Sequence, residues 1–310
     1  MFSIRPLLRG LALSLLLACC AAQAQKKIVL GYTAAPDFAA AFIAKERGFF
    51  AKRKLDVELQ FITLTSNIPP ALVSDSIQVG GITPPVLLQA VDSGLDLVAL
   101  ASGSVYDNTK GHLNIVARPG ANIKTAQDFV GKKFGVPGLG GTLHVLVRRW
   151  LAEKGVDPKR VTFIEVPLPQ IGDVLKGGSI DAAITIEPFV GRIVQMKAGV
   201  VVPGFATDTP SGFANVVYAA TRKWATANGA EVKALREALA ESINFANGHR
   251  EEAYAELGKY FKVPPPVLKA TPWPNLVLDL NDAQMRFWTD TMRNQEMLKK
   301  PPMVSSLIVK

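Results

Sequence analysis

A self-match at one constant offset limits what this chain can fold into. Leu72, Ser76, Ile77 and Pro85 recur as Leu175, Ser179, Ile180 and Pro188, 103 residues further on. Each copy reads as a helix end, a short apolar strand and a proline-bearing loop, and the elements around each copy follow one order. In the first, Lys26 to Tyr32 is a strand and Thr33 to Phe38 a loop; an apolar-periodic helix then runs through Ala39, Phe42, Ile43 and Phe50, and Val57 to Ile62 is a second strand. In the second, Lys132 to Val136 is a strand, Pro137 to Gly141 a glycine loop, Leu143 to Lys154 a helix closed by Gly155, and Val161 to Ile164 a strand. Strands alternating with helices imply right-handed parallel crossovers. The expected fold class is therefore α/β in two lobes, each a mostly parallel sheet flanked by helices.

The extended runs Asn114 to Arg118 and Asn215 to Ala220 read as the two crossings between lobes. They divide the chain into a discontinuous first lobe, 25–115 with 218–310, and a second lobe, 116–217. The mostly helical stretch after Arg222, with apolar spacing from Val232 to Ala246 and again from Glu251 to Tyr260, should pack on the first lobe. Two crossings between two lobes make a hinge, placed by this reading at Ala117 and Val217.

Residues 1–24 read as an export signal: Arg5 and Arg9, an apolar run from Leu11 to Ala18, and the small-x-small site Ala22-Gln23-Ala24. The run is about half the ~20 residues that span a bilayer, so the mature protein is expected in the periplasm. Leu16-Leu17-Ala18-Cys19 also fits a lipoprotein box, in which Cys19 would carry a lipid anchor. With cleavage after Ala24, Cys19 and Cys20 both leave, which excludes thiol catalysis, thiolate metal sites and disulfides. The chain carries 35 basic and 26 acidic residues, and losing Arg5 and Arg9 still leaves a net +7. That charge suits an anionic partner, but the basic residues come in scattered pairs such as Lys132-Lys133 and Arg148-Arg149. Nucleic-acid binding is not expected.

The glycine loop, Gly135 to Thr142, resembles a phosphate-binding loop, yet Gly141 stands where the cation must be and Leu143 where a dinucleotide fingerprint needs its third glycine. What remains is a strand-to-helix turn, with Thr142 as N-cap, whose free N–H groups could bind an anion. No G-x-S-x-G, H-E-x-x-H or C-x-x-C occurs, and His112, His144 and His249 are scattered. No enzymatic activity, cofactor or metal is expected.

Five segments in order carry a resemblance: Ala44-Lys45-Glu46-Arg47-Gly48-Phe49-Phe50, Leu55-Asp56-Val57-Glu58, Asp128 to Val136, Leu151 to Asp157, and Gly178-Ser179-Ile180-Asp181-Ala182. Together they resemble the periplasmic solute-binding proteins of ABC importers, in the nitrate, sulfonate and taurine branch that includes thiamine-precursor binders. The chain departs from that pattern at Ser74-Asp75-Ser76, where the family usually has a glycine before Ile77, a change expected to affect a helix cap.

The resemblance implies the type II periplasmic-binding fold, a small polar solute held between the lobes, and an ABC permease and ATPase in the inner membrane as partners of a monomer. Open α/β sheets bind ligands beyond the carboxyl ends of their strands. Mapped here, the first lobe offers Pro36, Asp37, Phe38, Thr65, Ser66, Asn67, Thr83, Pro84 and Ser102 to Ser104. The second offers Gly140, Gly141, Thr142, His144, Glu187 and Pro188, with Ser211 to Phe213 at the edge of the set.

Hydroxyls and helix N-termini suit sulfonate, carboxylate or nitrate oxygens, and Phe38 would supply an aromatic face. Asp37 and Glu187, if both face the crevice, repel a bare anion; a zwitterion or a heterocycle with N–H donors reconciles the two sets. Two rivals share the fold. A thiamine-pyrimidine-synthase-like enzyme would need a cysteine-rich iron motif, and a sensing module would need a transmembrane helix or an output domain.

Overall fold

The structure is a computed structural model that describes residues 27–309; the expected export signal with its cleavage site, and the alternative anchor at Cys19, fall outside the described residues. Among the described residues, ten strands form two five-stranded sheets. The first has the order β2-β1-β3-β10-β4, from β1 (Lys27–Tyr32), β2 (Asp56–Phe61), β3 (Val79–Ile82), β4 (Leu97–Val105) and β10 (Ala214–Thr221). The second has the order β7-β6-β8-β5-β9, from β5 (Leu113–Ala117), β6 (Lys133–Val136), β7 (Thr162–Glu165), β8 (Ala182–Ile186) and β9 (Val200–Val202).

In the first sheet β1 pairs parallel with β2 and β3, while β10 runs antiparallel between β3 and β4. The second repeats the plan: β6 pairs parallel with β7 and β8, and β5 runs antiparallel between β8 and β9. The 103-residue offset therefore marks two sheets of one topology.

The two runs read as crossings are not links. Asn114 to Ala117 lies in β5, whose five residues all pair with β8, and Asn215 to Ala220 lies in β10, paired with β3 on one side and β4 on the other. An apolar run with a partner on both edges is an interior strand. The chain crosses before each of them, between Val105 and Leu113 and between Val202 and Ala214, where polar residues such as Asp107, Asn108 and Thr109 replace the apolar ones. The helix after the glycine loop also starts one residue early, with Gly141 as N-cap and Thr142 as its first residue.

The helices that matter to the cleft are α1 (Ala39–Glu46), α2 (Ile68–Val73), α3 (Pro84–Asp92) and α4 (Thr142–Glu153). Prolines sit in the first turns of α2 and α3, where their fixed φ favours the helix start. Past the end of α2, Asp75 takes a left-handed φ of 58°, the conformation for which a glycine is the usual choice. On the C-terminal side, α5 (Gly229–Gly248) packs on α1, and α6 (Asp282–Asn294), opened by a reciprocal Asn281–Gln284 capping box, packs on both α3 and α4. The chain end shields the β4 edge, with Ala99 N–H donating to Leu307 O at 2.7 Å. Among the described residues, no helix is long and apolar enough to cross a membrane.

β3 passes close under Phe38. A Cβ on Gly81 would lie 2.5 Å from the Phe38 ring, which is itself buried edge-on against Tyr218. Gly81→Ala should therefore cost about 1–3 kcal/mol in urea denaturation. Gly229→Ala, at an open helix start, should be neutral or slightly stabilising.

Candidate functional site

A cavity of about 60 Å³ lies between the sheets. On the first side its walls are Thr33 to Ala35 and Asp37 after β1, Thr63 and Thr65 after β2, and Thr83 after β3. On the second they are Pro137, Gly138 and Gly141 to Leu143 after β6, Leu168 and Pro169 after β7, and Ile186 at the end of β8. Every one of these follows or ends a parallel strand, as the carboxyl-end rule requires. Asn215 and Val216 complete the wall from the start of β10. Because β10 is antiparallel, its amino end lies level with its neighbours' carboxyl ends.

Five of the residues expected from the sequence line this cavity: Asp37, Thr65, Thr83, Gly141 and Thr142. The others stand around it. Pro36 and Phe38 are buried in the turn before α1, and the Phe38 ring belongs to the core rather than to the cavity wall. Asn67 and Pro84 cap and open their helices. Ser102 is buried in β4, its hydroxyl turned to Ser104 O at 3.4 Å.

Glu187 is half-buried and follows the wall residue Ile186. Its carboxylate accepts the Gly191 N–H at 3.0 Å, burial pushes its pKa up, and it joins Pro188 through a cis peptide. Ser211 bonds Asn108, and Phe213 stacks on Tyr106. Thr33, Thr63 and Pro137 also line the cavity and were not among the expected residues, although each comes within two residues of a strand's carboxyl end, the signal that finds them. Asn215 was missed because its strand was read as a link.

The polar groups of the wall form a short network. Asp37 Oδ1 accepts from Ser104 Oγ at 2.6 Å and from Asn215 Nδ2 at 2.9 Å, with Asp37 only 3% exposed. The Thr142 hydroxyl reaches across to Asn215 O at 3.3 Å. Thr65 Oγ1 and Thr83 Oγ1 are buried, and neither has a hydrogen-bond partner among the described residues. A buried hydroxyl without a partner costs about 1–3 kcal/mol, a cost that a bound polar solute would relieve.

The glycine loop does not present the free donors expected of it. Leu139 N–H donates to Glu165 Oε1 at 2.8 Å, Gly140 N–H to His144 Nδ1 at 2.8 Å, and Gly141 N–H to Gly138 O at 3.0 Å. The loop is a close-approach element: a Cβ on Gly138 would lie 2.5 Å from Thr65 Cγ2 of the opposite lobe. Along the rim, Ser66 Oγ donates to Glu165 Oε1 at 3.0 Å and Gln89 Nε2 to Gly140 O at 3.3 Å. His144 supports the loop from behind, packed edge-on against Phe163 at 4.5 Å.

A sequence model of the family described as NMT1/THI5 like matches residues 35–253. The chain belongs to the NMT1/THI5-like family. Among curated relatives, the nitrate import ATP-binding protein NrtC of Synechocystis is 26% identical over 253 residues, 74% of this chain and 37% of its own. A putative thiamine biosynthesis protein of Haemophilus influenzae is 30% identical over 158 residues, 51% of this chain and 48% of its own. The NMT1/THI5-like chain thus spans less than half the length of each of these two relatives. The alkanesulfonate-binding protein SsuA of Xanthomonas axonopodis pv. citri, solved bound to MOPS, superposes with a TM-score of 0.77 at 19% identity, over 92% of this chain and 99% of that one. The fold is that of the periplasmic binding proteins.

Burial, with the nearby Arg148 charge as a second cause, lowers the His144 pKa to about 4. As pH falls below the ordinary His value of about 6.5, the unfolded chain takes up a proton that the folded chain refuses. Stability should fall from there down to about pH 4, by roughly 3 kcal/mol in all from this group. His144→Asn keeps an acceptor for Gly140 N–H and removes the titration. Between pH 6.5 and 5 it should lose about 2 kcal/mol less than the parent in urea midpoints taken along a pH series.

Proposed function

We propose that the chain is the extracytoplasmic solute-binding component of an ABC import system. It captures a small polar solute in the cleft between its lobes and presents the closed form to a membrane permease and its ATPase. The observation that carries this reading is the cavity itself. It is enclosed by strand ends of two separate sheets, with two buried, unpartnered threonine hydroxyls facing it from one lobe and the start of α4 from the other. No described residue lining the cavity is Cys, His or Lys, so capture rather than turnover is what the arrangement supports.

The names of the relatives point the same way: NrtC is named for nitrate import and SsuA for alkanesulfonate binding. The export signal read in residues 1–24 agrees with a periplasmic setting. The lobes would be the strands of each sheet with their helices, moving about the links 106–112 and 203–213. Closure would form the rim bonds from Ser66 to Glu165 and from Gln89 to Gly140. A micromolar Kd corresponds to about 8 kcal/mol, within reach of a few hydrogen bonds to the wall plus burial of an apolar face.

Two measurements test this reading. Differential scanning fluorimetry with millimolar nitrate, bicarbonate, isethionate, taurine, acetamidine and benzamidine should show at least one stabilising solute, and that solute should contract the protein in small-angle scattering. A flat response across all six overturns solute capture. For the solute found, Glu165→Ala should weaken binding about tenfold, the equivalent of one cross-lobe hydrogen bond to a charged group, mainly through a faster dissociation rate in stopped-flow.

A further inference from the structure

Resting on that reading of the cleft, we infer that the captured solute carries N–H donors and no net negative charge, and that Asp37 with Asn215 receives those donors.

Beyond its threonine hydroxyls, the cavity wall holds little of what an oxyanion needs. None of its described residues is Lys, Arg or His. α3 opens on Pro84-Pro85, so its first two positions have no N–H, and α2 carries Pro69 and Pro70 in its first turn. The glycine loop spends its Leu139, Gly140 and Gly141 N–H groups on Glu165, His144 and Gly138. The start of α4, with no proline in its first turn, is left to meet an anion.

The same wall is rich in acceptors. Asp37 is held in it by Ser104 and Asn215, and both of those donors go to Oδ1, so Oδ2 is the oxygen available to a solute. Asn215 gives one of its two Nδ2 hydrogens to Asp37 and keeps its Oδ1 as an acceptor. His112, the neighbouring basic side chain, is driven towards its neutral form chiefly by burial and does not offset the carboxylate. The Thr65 and Thr83 hydroxyls can accept as readily as donate. Ala35, Leu143, Leu168 and Val216 supply apolar wall for the rest of the solute. A site with a surplus of acceptors selects a solute with a surplus of donors, because each acceptor left unmatched on closure is buried without a partner.

Isothermal titration with two groups of probes decides the point. One group is acetamidine, benzamidine and taurine; the other is nitrate, bicarbonate and isethionate, the last differing from taurine by a hydroxyl in place of the ammonium. At least one member of the first group should bind and none of the second, and Asp37→Asn should weaken the bound probe at least tenfold. An oxyanion that binds as tightly as any N–H probe overturns the inference while solute capture stands. Undiminished binding in a folded Asp37→Asn protein overturns the role of Asp37. Binding by neither group overturns both the inference and the capture reading. The comparison of probe groups uses the parent protein and does not depend on any variant folding.

Discussion

β10 enters its sheet between β3 and β4 and runs against both, and β5 does the same between β8 and β9. Each inserted strand is reached from the opposite sheet, so neither five-stranded sheet is complete without a strand delivered across the gap. That exchange keeps the links short and turns the carboxyl ends of the parallel strands towards one another. It also puts the start of β10, rather than its end, at the cleft. Asn215 therefore reaches Asp37 in the turn after β1, 178 residues away in sequence. Had β10 been parallel, its cleft end would have been Thr221, which caps the following helix instead.

The exchange also sets the electrostatics of the wall. An anion within 4 Å of a carboxylate meets a repulsion of about 4 kcal/mol at an effective dielectric of 20. A helix N-terminus returns about 0.3–1 kcal/mol, up to ~2 when partly buried. Set against one buried acid, a single helix start would leave the balance unfavourable for a bare oxyanion. The net charge of +9 does not alter this, because its carriers lie elsewhere. Arg47, Arg53 and Lys259, for example, pair with acids on the helices that cover the first sheet. Long-range attraction and pocket chemistry are separate properties of the molecule.

The alternation of strands and helices, and the doubling of that pattern, could be read from the residues because both rest on local hydrophobic periodicity. The glycine loop and the start of α4 were placed within a residue for the same reason. What local pattern does not contain is the partner of a strand. Asn114 to Ala117 is as apolar and extended as a link under tension would be, and only its pairing with β8 and β9 makes it interior. Losing β10 as a strand meant losing Asn215 as a site residue. Phe38 failed for a related reason: aromatic residues near a cleft are as useful to the core as to a ligand, and the space left by Gly81 settles which way the ring turns. The glycine loop was located correctly but credited with free donors, since the acceptors that occupy them, Glu165 and the His144 ring, are supplied by tertiary contact.

The position of each strand in its sheet also orders the bonds across the cleft. The inserted strands β10 and β5 lie towards one side of the sheets, whereas β2 and β7 are the far edges on the other. Thr142 to Asn215 is thus a bond on the hinge side. Ser66, which follows β2, and Glu165, which ends β7, meet at the mouth. A further tie joins the lobes: Gln295, just past α6, accepts from Arg148 Nε at 3.1 Å and donates to Val145 O at 3.0 Å. Val145 is one helical turn from Thr142, about 4.5 Å along α4, so the cleft end of α4 is held close to a fixed point. Any opening of the lobes is then smallest at Thr142 and Asn215 and largest at Ser66 and Glu165. Asp37, Asn215 and Thr65 all stand on the first sheet, so such an opening would not separate them, whereas Gly138, Thr142 and Glu165 stand on the second.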